Sequence, residues 1–204
     1  MNWREQPADI HPPLISDLLR AVSALDAVFL LARTRKVPTV YLTPDCREGI
    51  WAHVRSHRTE VGGLLIGRAY VAGADLPDTW WPLVWIDRFL PSETFRSSGV
   101  SLAMGTEIWD RARSVMARND GMVVGWYHSH PNLGAFFSST DRATQRAFFN
   151  QPYSVGLVVD PIRGEEAWFI GAASASLRSE PVVRTGLALP CGGPRQRSSE
   201  DGQQ

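Results

Sequence analysis

Between Glu60 and Arg68 the chain runs through Val61, Gly62, Gly63, Leu64, Leu65, Ile66 and Gly67 without one polar side chain. A strand with one wet face alternates apolar and polar residues, so an unbroken run of this kind belongs to a strand buried on both faces. The fold must therefore place other elements above and below it. Gly62 and Gly63 weaken a strand intrinsically, and a close approach of another backbone is a reason for keeping them. GMVVGWYHSH at 121–130 has the same buried character and predicts a second such strand.

The other segments supply partners for these strands. VPTVYL at 37–42 reads as a short strand, and Thr43 followed by Pro44 predicts an N-cap and first residue for a helix reaching about His57, with Ile50, Trp51 and Val54 as its buried stripe. TWWPLVWIDRFLP at 79–91 reads as an aromatic strand in which Pro82 marks an edge or a bulge. The polar stretch SETFRSSGVS reads as a loop on the substrate side, leading into a helix near 102–117 with Ile108, Trp109 and Val115 facing inward. SSTDRATQRAFF at 138–149 is a helix, and YSVGLVVD and EEAWFIGAA are two strands joined by the turn PIRG. Upstream, Pro12 and Pro13 open a helix whose Leu14, Ile15, Leu18, Leu19, Val22 and Leu25 form one apolar face, read as a packing helix rather than a docking helix. This order of elements suggests an α/β or α+β sandwich around one mixed sheet. We divide the chain into an N-terminal arm and helix (1–36), a central domain (37–175) and a C-terminal extension (176–204), disordered from about 187, where Gly, Pro, Ser and charge replace apolar periodicity.

Composition narrows the function classes. Lys plus Arg equals Asp plus Glu at 21 each, so no general field draws nucleic acid or an anionic membrane, and neither is expected as a partner. Two cysteines, Cys46 and Cys191, exclude a four-thiolate zinc site and argue against a disulfide framework. The N-terminal residues lack signal-peptide organisation, and AVFLLA at 27–32 is too short to span a bilayer, so a cytoplasmic setting is expected.

Against that background, WYHSHPNLGAFFSSTD at 126–141 concentrates chemistry. Residues two apart on an extended segment share a face, so His128 and His130 can aim both rings at one point. Ser138 and Asp141 have the spacing of an N-cap and the third helical residue, which sets a carboxylate at a helix start near the histidines. Two imidazoles and one carboxylate leave one position for water, the arrangement catalytic zinc uses, whereas structural zinc fills all four positions with protein ligands. Activating that water needs a base, and Glu60, opening the buried strand, is the candidate because low dielectric would raise its pKa. Ser138 is a candidate donor to a developing oxyanion. Each piece has an ordinary alternative: an incidental His pair, a helix cap, a strand-end ion pair.

Taken together, Glu60, then His128-Ser129-His130, the seven residues PNLGAFF, Ser138, two residues and Asp141 resemble the signature of the JAMM (MPN-type) zinc metallopeptidases. The resemblance extends to GGLLIG and GWYHSHP and covers about residues 37–172. It implies an MPN-like (cytidine-deaminase-like) three-layer α/β sandwich around a mixed β-sheet. It also implies one catalytic zinc ion held by His128, His130 and Asp141, with Glu60 as general acid/base and Ser138 stabilising the tetrahedral intermediate. The implied activity is cleavage of a peptide or isopeptide bond after the C-terminus of a ubiquitin-like protein, as in compact bacterial forms encoded beside conjugation enzymes. The implied partners are that ubiquitin-like protein, its conjugates and the conjugation enzymes, with a homo-oligomer left open. The stretch from Glu93 to Ser101 matches the first of two substrate-contacting insertions, and the loop after Asp141 is too short for the second. Two alternatives stand beside this reading: a peptidase maturing a sulfur-carrier protein, and a non-catalytic MPN scaffold, against which the complete motif argues.

Overall fold

The computed structural model describes residues 12–24, 27–28, 30, 32, 37–72, 82–92, 96–98, 101–103, 106–119, 121–177 and 182–183. The helices whose bounds are described are α1 (Ile15–Ala21), α2 (Pro44–Arg55), α3 (Thr106–Asn119) and α4 (Ser139–Phe148), and residues 24, 27, 28, 30 and 32 are helical as well. The strands are β1 (Thr39–Leu42), β2 (Gly62–Tyr70), β3 (Leu83–Pro91), β4 (Arg96–Ser98), β5 (Ser101–Ala103), β6 (Met122–Ser129), β7 (Val155–Asp160), β8 (Glu165–Ile170), β9 (Ala175–Leu177) and β10 (Val182–Val183). Eight of them form one sheet in the order β10-β1-β3-β2-β6-β7-β8-β9. Pairing is parallel for β10/β1, β1/β3 and β6/β7 and antiparallel for the rest, so the sheet is mixed.

The unbroken apolar run of β2 lies at the sheet centre, covered on both sides. Leu65 and Ala69 join the core beneath α2, where Cys46, Ile50, Trp51 and Val54 are buried. Leu64 and Ile66 point the other way, to Ile108 and Ala112 of α3 and to Trp126, Phe137 and Phe149. Helix α1 extends the cover on that second side, setting Ile15 and Leu18 against Tyr41, Tyr70, Leu83 and Trp85. Full burial of Leu18 alone contributes about 1.5–3 kcal/mol. The result is the three-layer helix, sheet, helix sandwich around a mixed sheet. The close approach expected at the glycine pair is real at Gly63, where a Cβ would lie 2.0 Å from the Leu90 carbonyl oxygen and 2.9 Å from the Tyr127 ring.

Three local expectations are corrected. Pro82 marks neither an edge nor a bulge: β3 is an interior strand between β1 and β2, and Pro82 precedes it, accepting a bond from Thr39 N at 3.1 Å while its missing N–H costs no ladder bond. The stretch after β3 is not simply a loop, since it contains the β4/β5 hairpin, with Leu102 in β5, so the following helix starts at Thr106. Helix α1 stops at Ala21 because Val22 is extended (φ −104°, ψ 169°); Leu25 lies outside the described residues. Thr43 and Pro44 are, as expected, the N-cap and first residue of α2, although the Thr43 side chain makes no cap bond. The sheet also runs beyond residue 175, through β9 at one edge and β10 at the other. Among the described residues no helix is long and apolar enough to cross a membrane.

Candidate metal centre

The histidine pair sits where β6 ends. His128 is the second-last residue of β6, and although His130 lies just past the strand, its N–H still donates to Val159 O of β7 at 2.9 Å. The ladder geometry therefore carries through to it, and the two rings do turn to one side. Their Nε2 atoms are 3.1 Å apart, with the ring planes at 72°. Which side they face is set further back. In the β2/β6 pairing Leu65 opposes Gly125 and Ile66 opposes Val123, so Val124 is an extra residue that reverses the alternation. Met122 and Val124 face α2, whereas Trp126 and the histidines face the α3 and α4 side.

Asp141 arrives from α4. Ser138 is its N-cap: Ser138 Oγ accepts from Asp141 N at 3.2 Å, and Asp141 Oδ2 accepts from Ser138 N at 2.7 Å. The ordinary capping function and the site function therefore coexist. The capping box occupies Oδ2 and leaves Oδ1 facing His128 Nε2 at 3.2 Å. Asp141 Oδ2 is also 3.7 Å from His130 Nε2. One donor atom from each of His128, His130 and Asp141 lies within 4.8 Å of the others, and all three residues are buried.

Protonation suits this donor set to a cation. Burial opposes ionisation of Asp141, but hydrogen bonding and charge from His128 and the bonds from Ser138 outweigh it and hold its pKa at about 2. Burial, then the neighbouring His128, push His130 below the usual imidazole range, despite opposing pulls from Asp141, Glu60 and the Gly134 backbone. A carboxylate oxygen and, at neutral pH, a neutral His130 nitrogen are both donor types that zinc takes, and among the described residues no thiol joins the group. The residues present therefore fit a zinc ion with three protein ligands.

Glu60 comes to the site through sheet pairing. Gly62 opposes His128 across the β2/β6 ladder, and Ser129, on the reverse side of the strand from the histidines, binds Val61 through both its backbone N–H and its hydroxyl. This sets Glu60 Oε1 4.0 Å from His130 Nε2. The expected deep burial is not met: Glu60 precedes the strand by two residues and its side chain keeps 26% exposure, so water reaches it.

Sequence reasoning missed three supporting residues. Trp126 stacks flat on His128, with centroids 4.6 Å apart and planes within 7°. Gln145, fully buried on α4, accepts from Trp126 Nε1 at 2.7 Å and donates to the carbonyls of Phe149 and Ser154. Asp160 closes β7 and receives backbone N–H groups from two loops. The uncharged setting of GWYHSHP hinted at a packed Trp126; nothing local marked the other two.

The family model for prokaryotic homologs of the JAB domain matches residues 44–171, more than half of the chain. The chain belongs to this JAB family. The JAMM (MPN-type) resemblance is thereby established, and the JAB match spans all five motif residues. Among curated proteins, the 26S proteasome regulatory subunit RPN11 of Eremothecium gossypii is 33% identical over 151 residues, 72% of this chain and 45% of that protein. The ubiquitin carboxyl-terminal hydrolase RPN11 of Saccharomyces cerevisiae is 32% identical over 109 residues, 52% of this chain and 34% of that protein. The chain thus spans less than half the length of these relatives. The solution structure of protein DSY2949 from Desulfitobacterium hafniense shares the fold, with a TM-score of 0.52 at 22% identity over 72% of this chain and 93% of that one.

Proposed function

We propose that this JAB domain is a zinc-dependent peptidase or isopeptidase that cleaves after the C-terminus of a ubiquitin-like protein. The observation that carries the reading is the convergence of His128, His130 and Asp141 within 4.8 Å, with the Glu60 carboxylate 4.0 Å from His130. Relatives named as a ubiquitin hydrolase and as proteasome subunits support the substrate class.

In this reading His128, His130 and Asp141 hold the zinc, which when bound supplies Lewis acidity and lowers the pKa of a water toward about 7. Glu60, carrying a carboxylate that water can reach, takes the proton of the attacking water and delivers it to the departing amine. Ser138 spends a lone pair on its cap bond to Asp141 N, so its hydroxyl proton is free to meet the developing oxyanion. Asp141, held ionised by its partners, offsets positive charge at the centre and orients His128. The β4/β5 hairpin, whose β5 lies against α4, is assigned in this reading to flank an extended substrate chain.

The test is incubation of the purified protein with a panel of ubiquitin-like proteins fused at their C-termini to a reporter, with and without chelator, beside Glu60→Gln. Cleavage is expected only from the untreated wild type. Cleavage that survives in the chelated or Glu60→Gln sample refutes the mechanism.

A further inference from the structure

The seven residues between His130 and Ser138 form an irregular loop, yet the structure grips them from outside. Asp160, completely buried at the end of β7, accepts from Asn132 N at 3.0 Å on Oδ1 and from Gly134 N at 2.7 Å on Oδ2. The same carboxylate accepts from Ile162 N at 2.9 Å and Arg163 N at 3.1 Å, which closes the β7/β8 turn. Arg163 then reaches back to Asn132 O at 2.9 Å. The preceding residue of β7, Val159, takes the His130 N–H. One strand end therefore holds His130 and two residues of the loop that follows it, Asn132 and Gly134.

The grip fixes a loop that has no ladder of its own. Asn132 adopts φ 63°, a left-handed conformation uncommon outside glycine, and Gly134 has φ 91°, which glycine takes without strain. In this conformation both N–H groups converge on Asp160. The loop in turn lays Phe136 over His130, with ring centroids 5.1 Å apart, and delivers Ser138 to cap α4. Burial works against the Asp160 carboxylate, but four N–H donors outweigh it, so it is an anion that donors surround completely. An asparagine of the same shape offers one acceptor oxygen and turns an NH2 toward N–H groups, so at least one spacer bond is lost.

We propose that Asp160 is a positioning residue of the metal centre, fixing through the spacer loop where His130 and Asp141 stand relative to His128. The proposal rests on the zinc-site reading above. It assigns to the β7/β8 turn, which supplies no ligand, control over metal affinity and turnover.

The experiment compares full-length wild type, Asp160→Asn, Arg163→Ala and the control Leu18→Ala, which opens a cavity under α1 in a core cluster that contains no site residue. Zinc affinity is read by competition with a chromogenic chelator, turnover by kcat and KM on the reporter fusion, and folding by thermal melting. Asp160→Asn is expected to bind zinc roughly 10–100-fold more weakly and to lose kcat with little change in KM, whereas Leu18→Ala melts lower but keeps wild-type zinc affinity. Zinc affinity and kcat within about twofold of wild type in Asp160→Asn overturn the proposal, as does equal zinc loss in Leu18→Ala at the same melting temperature. Should Asp160→Asn fail to fold, Arg163→Ala decides: about threefold or more weakening of zinc supports the proposal, and wild-type affinity overturns it. Wild type that binds no zinc refutes the metal reading itself and is distinguishable from all of these.

Discussion

Replacing Gln145 by leucine keeps the volume of a fully buried side chain and removes its hydrogen bonds. Gln145 accepts from Trp126 Nε1 at 2.7 Å and donates to Phe149 O at 3.1 Å and Ser154 O at 3.0 Å. Ser154 O keeps the Gly171 N–H at 2.8 Å, so the substitution strands chiefly the indole N–H and the Phe149 carbonyl. Each buried group left without a partner costs about 1–3 kcal/mol, and the extra apolar burial of leucine returns about 1–2 kcal/mol. Net destabilisation of about 0–5 kcal/mol, centred near 2–3 kcal/mol, is expected, read as a lower urea midpoint at unchanged m-value. A double-mutant cycle isolates the contact that reaches the site. In a Trp126→Phe background the indole N–H is already gone, so Gln145→Leu should cost about 1–3 kcal/mol less there than in wild type. Additivity of the two substitutions to within about 0.5 kcal/mol refutes the claim that Gln145 anchors the ring stacked on His128.

Zinc should raise the melting temperature of the wild type, by the equivalent of about 2.7 kcal/mol at a hundred times its dissociation constant, and leave His128→Ala unmoved; a shift in that variant contradicts the ligand assignment. Glu60→Ala should retain zinc by metal analysis while cleavage falls roughly 10²–10⁴-fold, because a proton carrier is not a ligand. Asp160 has a folded-state pKa of about 2 against an ordinary 3.8, so the unfolded chain binds more protons in that range; its contribution is full above about pH 4 and lost as pH falls toward 2. Denaturant titrations should accordingly show a flatter acid limb for Asp160→Asn; an unchanged limb refutes the clamp. Gly63→Ala drives a Cβ to 2.0 Å from the Leu90 carbonyl oxygen and should destabilise by about 1–3 kcal/mol or more in the same assay, and a neutral result means the strands can separate there at no cost.

What the sequence by itself determined is the chemistry whose geometry is local. The two-residue period of a strand is enough to bring His128 and His130 to one side, and the helix-start spacing of Ser138 and Asp141 is enough to build a capping box that leaves one carboxylate oxygen facing the ring. The charge-free run of β2 likewise dictated a strand covered on both faces, because nothing in it tolerates water. Tertiary structure decided what depends on partners distant in the chain. Glu60 reaches the histidines through the β2/β6 register and the Ser129 bonds to Val61, and only that placement revealed a half-buried carboxylate rather than a buried one. The extra residue Val124 reverses which face Trp126 and His128 occupy, and no composition marks a bulge. Pro82 misled because a proline before an interior strand and a proline on an edge strand look alike until the neighbours are known. Asp160 and Gln145 were invisible for a related reason: apart from the Trp126 indole on Gln145, the bonds that fix them go to backbone groups, which carry no side-chain signature and converge on one carboxylate or one amide only after the sheet has closed around them.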